Sequence, residues 1–172
     1  MEGVKRYSVR LLPHNPAWEA EFCRVHDLLR EIWGGNLIRA EHVGSTAIPS
    51  IPAKPVLDAA VMLKSMEDMD AQALVSLGYE DCGYQNEERR RRLFVLRGEN
   101  EISLQHIHCY GENDPDFYRQ VFFRDYLNSH PAAAREYAKL KQRLAERFAD
   151  DRASYTRGKA EFIKSILRLG EN

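Results

Sequence analysis

The sequence carries no strong net charge of either sign and contains few cysteines. Its 25 Lys and Arg residues nearly balance 26 Asp and Glu residues, so the formal net charge is −1. This balance excludes a global electrostatic field that would draw the protein onto nucleic acid or anionic lipid. Three cysteines without a CxxC spacing favour neither a disulfide framework nor a cysteine zinc site. We therefore do not expect nucleic acid as a partner, and any binding site for a polyanion must be local.

Segments that direct a chain to a membrane are also missing. The first ten residues lack the apolar stretch of a signal peptide, and no apolar run approaches the roughly 20 residues of a membrane span. We therefore expect a cytoplasmic protein that makes no membrane contact. The sequence pattern leaves the oligomeric state open.

Length and composition are typical of one folded domain. The 172 residues are 44% hydrophobic and 30% charged, which are ordinary values for a globular chain, and roughly 150 residues make one domain. Such a chain buries enough surface to fold without a disulfide or a structural metal. The pattern changes near residue 112, which predicts an α/β core over 1–111 and helices over 112–172 that pack on it.

Hydrophobic periodicity and turn residues predict the order of the elements. We expect strands at 7–12, 37–43, 56–63, 92–97 and 101–110, and helices at 16–33, 65–77, 115–128, 131–148 and from 151 onward. The connection 98–100 has the character of a hairpin, which argues against a purely parallel sheet. The sequence therefore predicts an α+β fold, in which a mixed sheet has flanking helices and a C-terminal helical segment.

The loop after the second long strand indicates phosphate chemistry. The strand ends at Val43, and Gly44 lets the backbone pass where a side chain would block it. The amides and hydroxyls of Ser45 and Thr46 can then converge on a phosphate, for which Lys54 supplies a compact positive charge. The alternative is that this Gly-Ser-Thr run is only a turn.

Three side chains on the predicted strands indicate a metal site. Asp58 interrupts an apolar strand, where an unpaired carboxylate is costly, so it either binds a metal ion or caps a neighbouring element. On a strand, His106 and His108 point to the same face roughly 7 Å apart, and with Asp58 they would leave a coordination position open. Nitrogen ligands favour Zn²⁺, Mn²⁺ or Fe²⁺ over Mg²⁺. Alternatively, the histidines form hydrogen bonds or contact a phosphate directly.

Two further residues are candidate contacts to the ligand. His42 lies two residues before Gly44 and is predicted to point into the same pocket, whereas Glu41 faces the other way. A structural role is the alternative for His42. Arg124 lies in an apolar helix, where it either contacts a phosphate through two N–H groups or, like Asp125, faces solvent or ties helices together through ion pairs.

Two tyrosine and lysine pairs share helix faces near the C-terminus. Tyr137 and Lys141, like Tyr155 and Lys159, are four residues apart and therefore lie on one face of a helix. They either form a polar wall for a base and phosphates or consist of core tyrosines with lysines that reach water. The run Arg89–Arg92 lacks the interleaved aromatics of a nucleic-acid site and is interpreted as a solvated hairpin edge.

Several separated motifs resemble one known family. The runs EHVGSTAIPSIPAKPVLD, FFRDYLNSHPAAAREYAKLK and SYTRGKAEFI occur in this order and together resemble the GrpB family, bacterial domains assigned to the nucleotidyltransferase superfamily. The resemblance extends from about Leu11 to Leu167. It implies a nucleotidyltransferase-like fold, with Gly44 and Ser45 at the Gly-Ser turn of the superfamily and Asp58 at its first metal-binding carboxylate.

The sequence departs from the superfamily pattern at one position. That pattern has a second carboxylate two residues after the first, because alternation then places both on one strand face to bind two Mg²⁺ ions. Here the position is Ala60. The two-metal arrangement is therefore incomplete.

These observations predict a protein that binds a nucleotide or another phosphorylated small molecule. If it is active, it transfers a nucleotidyl or phosphoryl group with the help of a divalent metal ion, Mg²⁺, Mn²⁺ or Zn²⁺. The expected site residues are Asp58 and Lys54 for catalysis, Gly44, Ser45, Thr46, His42, Arg124 and Lys159 for ligand binding, and Asp58, His106 and His108 for the metal.

Two alternatives remain open at this point. The first is a binding module without catalysis, and since GrpB-like domains also occur fused to dephospho-CoA kinases, its ligand could be related to CoA. The second is a metal-dependent hydrolase that uses His106 and His108.

Overall fold

The protein combines one six-stranded mixed sheet with five α-helices over the described part of the chain. The computed structural model describes residues 2–5 and 7–170. The strands are β1 (Val4–Lys5), β2 (Leu37–Val43), β3 (Leu57–Leu63), β4 (Tyr79–Tyr84), β5 (Arg91–Arg97) and β6 (Ile102–Gly111). The helices are α1 (Ala17–Trp33), α2 (Ala71–Ser76), α3 (Pro115–Ser129), α4 (Pro131–Arg147) and α5 (Arg152–Leu167). The predicted α+β class is confirmed.

The central strands β3 and β6 bring distant parts of the chain together. The strand order is β2-β3-β6-β5-β4, and the short β1 pairs with β6. Only β3 and β6 are parallel among these pairs, and the other neighbours are antiparallel. The connection between β5 and β6 is the predicted hairpin, in which Asn100 adopts a positive φ of 53°. The sheet is therefore mixed, as predicted.

Each face of the sheet is covered by a different group of helices. Helices α1 and α2 cover a large hydrocarbon cluster that includes Leu29, Leu57 and Ile107. On the opposite face, α3 packs through Phe117 on a smaller cluster around Ala60. A third cluster joins α3 and α4 to the loop between β2 and β3. The C-terminal helices therefore pack against the sheet and against the loop that was predicted to bind phosphate.

The predicted strand at 7–12 is wrong. The structure has instead the two-residue strand β1, and Leu12 makes only an isolated antiparallel bridge to Ala53. The backbone N–H of Val9 donates to the carbonyl of Ala149 at 2.7 Å, whereas the N–H of Leu12 donates to Ala53 at 2.8 Å. Because the segment bonds to two separate partners, it forms no continuous ladder.

The predicted helix at 65–77 is much shorter in the structure. The Ser65 hydroxyl accepts the N–H of Asp68 at 3.1 Å, but the regular helix begins after Asp70, whose carboxylate accepts the N–H of Ala73 at 3.0 Å. Asp70 rather than Ser65 is therefore the N-cap of α2. Strand β4 follows immediately and was not predicted.

The proline signals place the later helices correctly. Helices α3 and α4 begin at Pro115 and Pro131, where a missing N–H costs no helical hydrogen bond. The cap of α5 is Asp151, whose carboxylate accepts the N–H of Ser154 at 3.0 Å. Over residues 2–5 and 7–170, no helix combines the length and the apolarity needed to cross a bilayer.

Candidate functional site

The site is organised around Asp58, at the start of the central strand β3. In the sheet register, Asp58 lies opposite Val43 at the end of β2 and beside His106 of the parallel strand β6. Its Oδ1 atom lies 2.9 Å from Nδ1 of His106 and 3.3 Å from Nε2 of His108. The predicted constellation of one carboxylate and two imidazoles therefore forms, and we call these three residues the candidate metal group.

The geometry of this group fits a metal ion. Its three ligand atoms lie within 4.8 Å of one another, and no other such group of three was found among the described residues. Two atoms bound to one first-row ion at about 2.1 Å are separated by roughly 3.0 Å at a right angle and roughly 3.4 Å at a tetrahedral angle. The carboxylate–imidazole distances of 2.9 and 3.3 Å match these separations and are also hydrogen-bond lengths, so the same three side chains can hold either protons or an ion. A bound ion would replace the protons that now bridge the carboxylate and the imidazoles.

The residue at the position of the missing second carboxylate, Ala60, is fully buried. Ala60 is 0% exposed and packs with Val43 and Phe117 under α3. Its neighbour in the β6 register is His108, so an imidazole stands next to the position where the superfamily pattern has the second acid. The structure therefore offers ligands for one metal ion here, with nitrogen in place of the second carboxylate.

The charge states of the group follow from burial and hydrogen bonding. Burial alone would raise the pKa of Asp58, but hydrogen bonds and charge interactions with His106 and His108 outweigh it and hold that pKa well below its ordinary value. Burial lowers the pKa of His106, against the opposing effect of Asp58. The pair is therefore best described as an ionised carboxylate that accepts a hydrogen bond from a neutral imidazole.

Gly44 allows the loop to press against the carboxylate. Its φ is +71°, a conformation that side chains disfavour, and a Cβ atom placed there would overlap Oδ2 of Asp58. The Ser45 hydroxyl oxygen accepts the N–H of Lys54 at 3.2 Å, which leaves its own proton free to donate. Thr46 is buried, and its Oγ1 lies 2.9 Å from Nε2 of His42. The loop thus keeps Gly44 and Ser45 beside Asp58, whereas Thr46 is engaged internally.

His42 faces α1 rather than the candidate metal group. It pairs in register with Ala59 on the other face of β3, and its ring stacks on Phe22 at a centroid distance of 5.1 Å. The prediction that His42 points into the pocket is therefore wrong. It assumed that side chains alternate regularly along the strand as far as Gly44, but the positive φ of Gly44 ends this alternation. His42 instead supports the loop through Thr46.

Arg124 forms ion pairs that connect α3 to β2. Its Nη1 atom donates to Glu41 at 2.6 Å and to the carbonyl of His42 at 2.8 Å, and its Nε atom donates to Asp125 at 2.8 Å. Two of the three guanidinium nitrogens are thus committed within the protein. Of the two roles considered for this residue, the structure displays the structural one rather than a phosphate contact.

Lys54 and Lys159 lie near Asp58 and interact electrostatically with it. Burial lowers the pKa of both ammonium groups to about 8, against the attraction of the carboxylate. Arg152 and Lys141 belong to the same neighbourhood: burial lowers the pKa of Arg152 despite Asp58, and it lowers that of Lys141 to about 7, with further lowering by Lys159 and Lys54. We call Lys54, Lys141, Arg152 and Lys159 the basic cluster.

The sequence interpretation missed two members of this cluster as site residues. Arg152, Tyr155 and Lys159 have helical spacings of three and four residues, so one face of α5 already indicated that Arg152 accompanies Lys159. Lys141 was recognised only as the partner of Tyr137. By contrast, Arg91 and Arg92 are tied to the carboxylates of Asp114 and Asp81. The prediction of a solvated hairpin edge is wrong for these two residues, because they lie on β5, which pairs with β4 and β6.

Two recesses lie near the site. One, of about 550 Å³, lies at the start of α1 and is lined by residues such as Trp18 and Pro55, with no member of the candidate metal group or the basic cluster among its described lining. The other, of about 370 Å³, lies between α3 and α5 and is lined by Gly44, Phe123 and Tyr137, among others. Both recesses touch the loop between β2 and β3, but only the smaller one is lined by Gly44, the residue that presses against Asp58.

Comparison with known proteins supports the fold and the family. The family model described as GrpB protein matches residues 8–169. The glutamate-rich protein GrpB of Alkalihalophilus pseudofirmus is 32% identical, over 97% of this chain and 98% of its own length. The UPF0157 protein YqkA of Bacillus subtilis is 34% identical over 91% of this chain, which spans only 46% of YqkA. A dephospho-CoA kinase of Mycolicibacterium paratuberculosis is 26% identical over 96% of this chain and 46% of its own length.

Solved structures show the same architecture. The crystal structure of the conserved protein GrpB from Enterococcus faecalis has a TM-score of 0.84 and 31% identity, covering 93% of this chain and 96% of that one. A structure of Cid1, an RNA terminal uridylyl transferase, has a TM-score of 0.54 at 13% identity, covering 80% of this chain and 42% of Cid1. The second likeness shows only that the fold is nucleotidyltransferase-like. From the family model and the full-length relatives together, the chain belongs to the GrpB family.

Proposed function

We propose that this protein binds a nucleotide or another phosphorylated small molecule where β2 ends and β3 begins, together with a divalent metal ion, Mg²⁺, Mn²⁺ or Zn²⁺. The observation that carries the proposal is the meeting of an ionised carboxylate, two imidazoles and several largely buried cations at the central strands β3 and β6. A metal ion would compensate the carboxylate and the imidazoles, and phosphate oxygens would compensate the buried cations. Either ligand alone would leave one of these two sets without a partner.

The residues of the site divide into two roles. Asp58, His106 and His108 would hold the ion, whose charge would neutralise phosphate oxygens and favour in-line attack at phosphorus. Lys54 would neutralise the phosphate from the loop side. The hydroxyl proton of Ser45, which the hydrogen bond from Lys54 leaves free, would donate to the same phosphate.

The recess beside Gly44 provides a place for the organic part of the ligand. Phe123, Tyr137 and Ile163 are among the residues that line its volume of about 370 Å³. Aromatic and aliphatic walls of this kind favour a flat, partly apolar group such as a nucleobase.

Transfer of a nucleotidyl or phosphoryl group is the activity we propose for this site. A binding module without catalysis is the second candidate, and the burial of Ala60 under α3 favours it, because the site then holds one ion where two-metal transferases hold two. A CoA-related ligand belongs to this second candidate, since a dephospho-CoA kinase contains a region similar to this chain.

A ligand and metal screen tests the proposal. ATP, AMP, CoA and dephospho-CoA are added with Mg²⁺, Mn²⁺ or Zn²⁺, and the melting temperature is measured, because a ligand that binds only the folded state raises it. We expect at least one ligand and metal pair to stabilise the wild type. Asp58→Asn should lose the metal-dependent part of this shift, whereas Asp68→Asn, which removes an exposed carboxylate, should keep it.

Assays of product release separate the candidates. Transfer of a nucleotidyl or phosphoryl group to an added acceptor supports the transferase if Asp58→Asn abolishes this transfer. Tight binding of a nucleotide without turnover supports the binding module. Metal-dependent release of phosphate with water as the acceptor, lost in His106→Ala, supports the hydrolase alternative. An absence of stabilisation by every ligand and metal, or equal stabilisation of Asp58→Asn, would contradict the proposal.

A further inference from the structure

The larger of the two recesses has no role in the proposed function. Its volume is about 550 Å³, and it lies at the start of α1. Its lining combines apolar residues, such as Leu12, Pro16 and Pro55, with the imidazole of His14 and the carboxylate of Glu21. None of its described lining residues belongs to the hydrocarbon cluster under α1 and α2. A concave site of this size, with apolar walls and a few polar groups, is typical of a small-molecule site.

The carboxylate of Glu21 is held in place from inside the protein. Gln105 lies two residues before Ile107 on β6, so its side chain points towards the face that α1 covers. Its Nε2 atom donates to Oε1 of Glu21 at 2.7 Å, and its Oε1 atom accepts the hydroxyl proton of Tyr79. Both Gln105 and Tyr79 are buried. This chain of hydrogen bonds orients the Glu21 carboxylate at the wall of the recess, which lowers the cost of binding a ligand there.

The outer side of the same carboxylate carries a weak ion pair. The Nε atom of Arg24 donates to Oε2 of Glu21 at 3.0 Å. The side chain of Arg24 is 69% exposed and that of Glu21 is 20% exposed, and pairs of this kind contribute little because water solvates the charges. An ionised carboxylate has about four acceptor positions. Glu21 can therefore accept a donor from a ligand beside Arg24 or in exchange for it.

The first turn of α1 is not arranged for an anion. The N–H of Ala17 donates to Oδ1 of Asn15 at 2.9 Å, and the N–H of Trp18 donates to the carbonyl of Asn15 at 3.0 Å. Pro16 has no N–H. Anions at the start of a helix bind free amides, and these amides are occupied. The oriented polar group of the recess is instead an acceptor, the Glu21 carboxylate, which matches a cationic donor.

His14 provides a second observation at the same place. Over residues 2–5 and 7–170, its Nδ1 atom is the one buried side-chain nitrogen or oxygen without a hydrogen-bond partner. The ring lines the recess and lies edge-on to Trp18, at a centroid distance of 5.4 Å. A buried polar atom without a partner requires an explanation, such as a group that is bound from outside. A half-turn of the ring about its Cβ–Cγ bond would exchange the places of Nδ1 and Cδ2, and Nδ1 would then accept a hydrogen bond from a ligand.

We propose that this recess binds a small organic cation, in which an ammonium or amidinium group is attached to an apolar body. The cationic group would donate to Glu21, and the apolar body would lie against Leu12 and the proline rings. Because proline rings are rigid, these walls lose little conformational freedom on binding. The recess lies on the α1 side of the sheet, and its described lining contains no residue of the candidate metal group. The inference therefore does not rest on the proposed function.

NMR titration with four probes that share a phenyl ring tests the proposal. Benzylamine and benzamidine are the cations, benzyl alcohol is neutral, and benzoate is the anion. The chain has two tryptophans, and the indole N–H signal of Trp18, which lines the recess, reports binding. The signal of Trp33, whose indole donates to the carbonyl of Asp70 at 3.1 Å, is the internal control. We expect the cations to shift the Trp18 signal and to bind at least about tenfold more tightly than the other two probes.

Glu21→Gln removes the charge of the proposed acceptor. Its amide oxygen can still accept the hydrogen bond from Gln105, so the buried chain is retained. We expect the affinity for benzylamine to fall by about tenfold, so that the preference for cations is lost. Glu31→Gln removes an exposed carboxylate of the same helix and should keep that preference.

Arg24→Gln should have the opposite effect. It removes the guanidinium that competes for Glu21, so the affinity for benzylamine should rise by about two- to fivefold. Arg30→Gln removes an exposed arginine of the same helix and should leave the affinity unchanged. If Glu21→Gln fails to fold, this second pair of variants decides the question.

Three results would overturn the inference. The first is that neither cation shifts the Trp18 signal, and the second is that benzoate or benzyl alcohol binds as tightly as the cations. The third is that Glu31→Gln or Arg30→Gln acts as strongly as its partner variant, because the attraction would then be general. None of these results affects the proposed function, which is tested with nucleotides, metal ions and Asp58→Asn.

Discussion

The two faces of β3 carry different chemistry on alternate residues of one strand. Leu57, Ala59 and Val61 enter the hydrocarbon cluster under α1 and α2. Asp58 and Ala60 point the other way, towards α3 and the C-terminal helices. The same division continues on β6, where isoleucine and cysteine face the first cluster and the two histidines face Asp58.

This difference shows how a small domain separates stability from binding. One face buries mainly apolar area, beside a few hydrogen-bonded polar side chains such as His42 and Gln105, and the apolar burial itself stabilises the fold without directing any ligand. The other face holds an ionised carboxylate and lysines of lowered pKa, which are unfavourable for stability unless they have partners. Substitutions on the two faces should therefore have opposite consequences, and the following experiments test that separation.

The largest effect is expected on the hydrocarbon face. Leu29 of α1 is 0% exposed in the main cluster, so Leu29→Ala should reduce the free energy of unfolding by about 2–5 kcal/mol through lost burial and a cavity. Urea denaturation measures this change. The exposed Leu77 serves as control, since Leu77→Ala should change stability by less than about 0.5 kcal/mol. A loss of less than about 1 kcal/mol in Leu29→Ala would contradict the assignment of this face.

The next effect concerns the metal affinity of the opposite face. His106→Ala removes one of three ligand atoms, and we expect the affinity for Zn²⁺ or Mn²⁺ to fall by about 100-fold, equivalent to about 2.7 kcal/mol. Its effect on unfolding should be smaller than that of Leu29→Ala. His26→Ala, on α1 and remote from the group, is the control for nonspecific binding through histidine. Equal loss in both variants would remove the basis of the candidate metal group.

A third experiment uses the pH dependence of stability. The folded-state pKa values of Lys54, Lys141 and Lys159 are about 8, 7 and 8, below the usual value near 10.4 for an unfolded lysine. Between these values the unfolded chain binds more protons, so the free energy of unfolding should rise with pH above about pH 7. For Lys141 alone the rise is at most about 1.4 kcal/mol per pH unit.

Lys141→Met isolates this contribution. The urea midpoints of the wild type and of Lys141→Met are measured from about pH 7 to 9. As the pH rises, the midpoint of the wild type should increase relative to that of the variant. A difference that does not vary with pH would show that Lys141 titrates normally.

The smallest effect is expected at the loop glycine. Gly44→Ala introduces a Cβ atom at φ +71° that overlaps Asp58, so it should reduce the free energy of unfolding by about 1–2 kcal/mol. Gly35→Ala is the matched control, since nothing lies within 4 Å of a Cβ atom at that position. If both substitutions are equally tolerated, the loop does not press on the carboxylate as described.

Local signals in the sequence predicted much of the framework. Pro115 and Pro131 placed the starts of α3 and α4, and the run Leu37–Val43 was predicted with the bounds that the structure shows. Each of these signals acts within one element. At 7–12 the backbone bonds to the distant carbonyl of Ala149 and to Ala53 instead of forming a strand. At 65–77 two cap residues competed locally, and α2 begins after Asp70 rather than after Ser65.

The site was only partly predictable for the same reason. The His-x-His spacing on one strand indicated that His106 and His108 share a face, and the register with Asp58 then followed from the parallel pairing of β3 and β6. The orientation of His42 and the engagement of Arg124 depended instead on contacts with α1 and β2 that no local pattern encodes.

The sequence by itself determined the order of most elements, the Gly-Ser loop before the carboxylate and the histidine pair, because these depend on neighbours within a few residues. Only the tertiary structure decided which cations belong to the site. In the sequence, strands β3 to β6 lie between Lys54 and Lys141. The two residues meet because α4 and α5 cross above the loop. Electrostatic interactions act through space over several ångströms, so charges that are far apart in sequence form one site once the helices have packed.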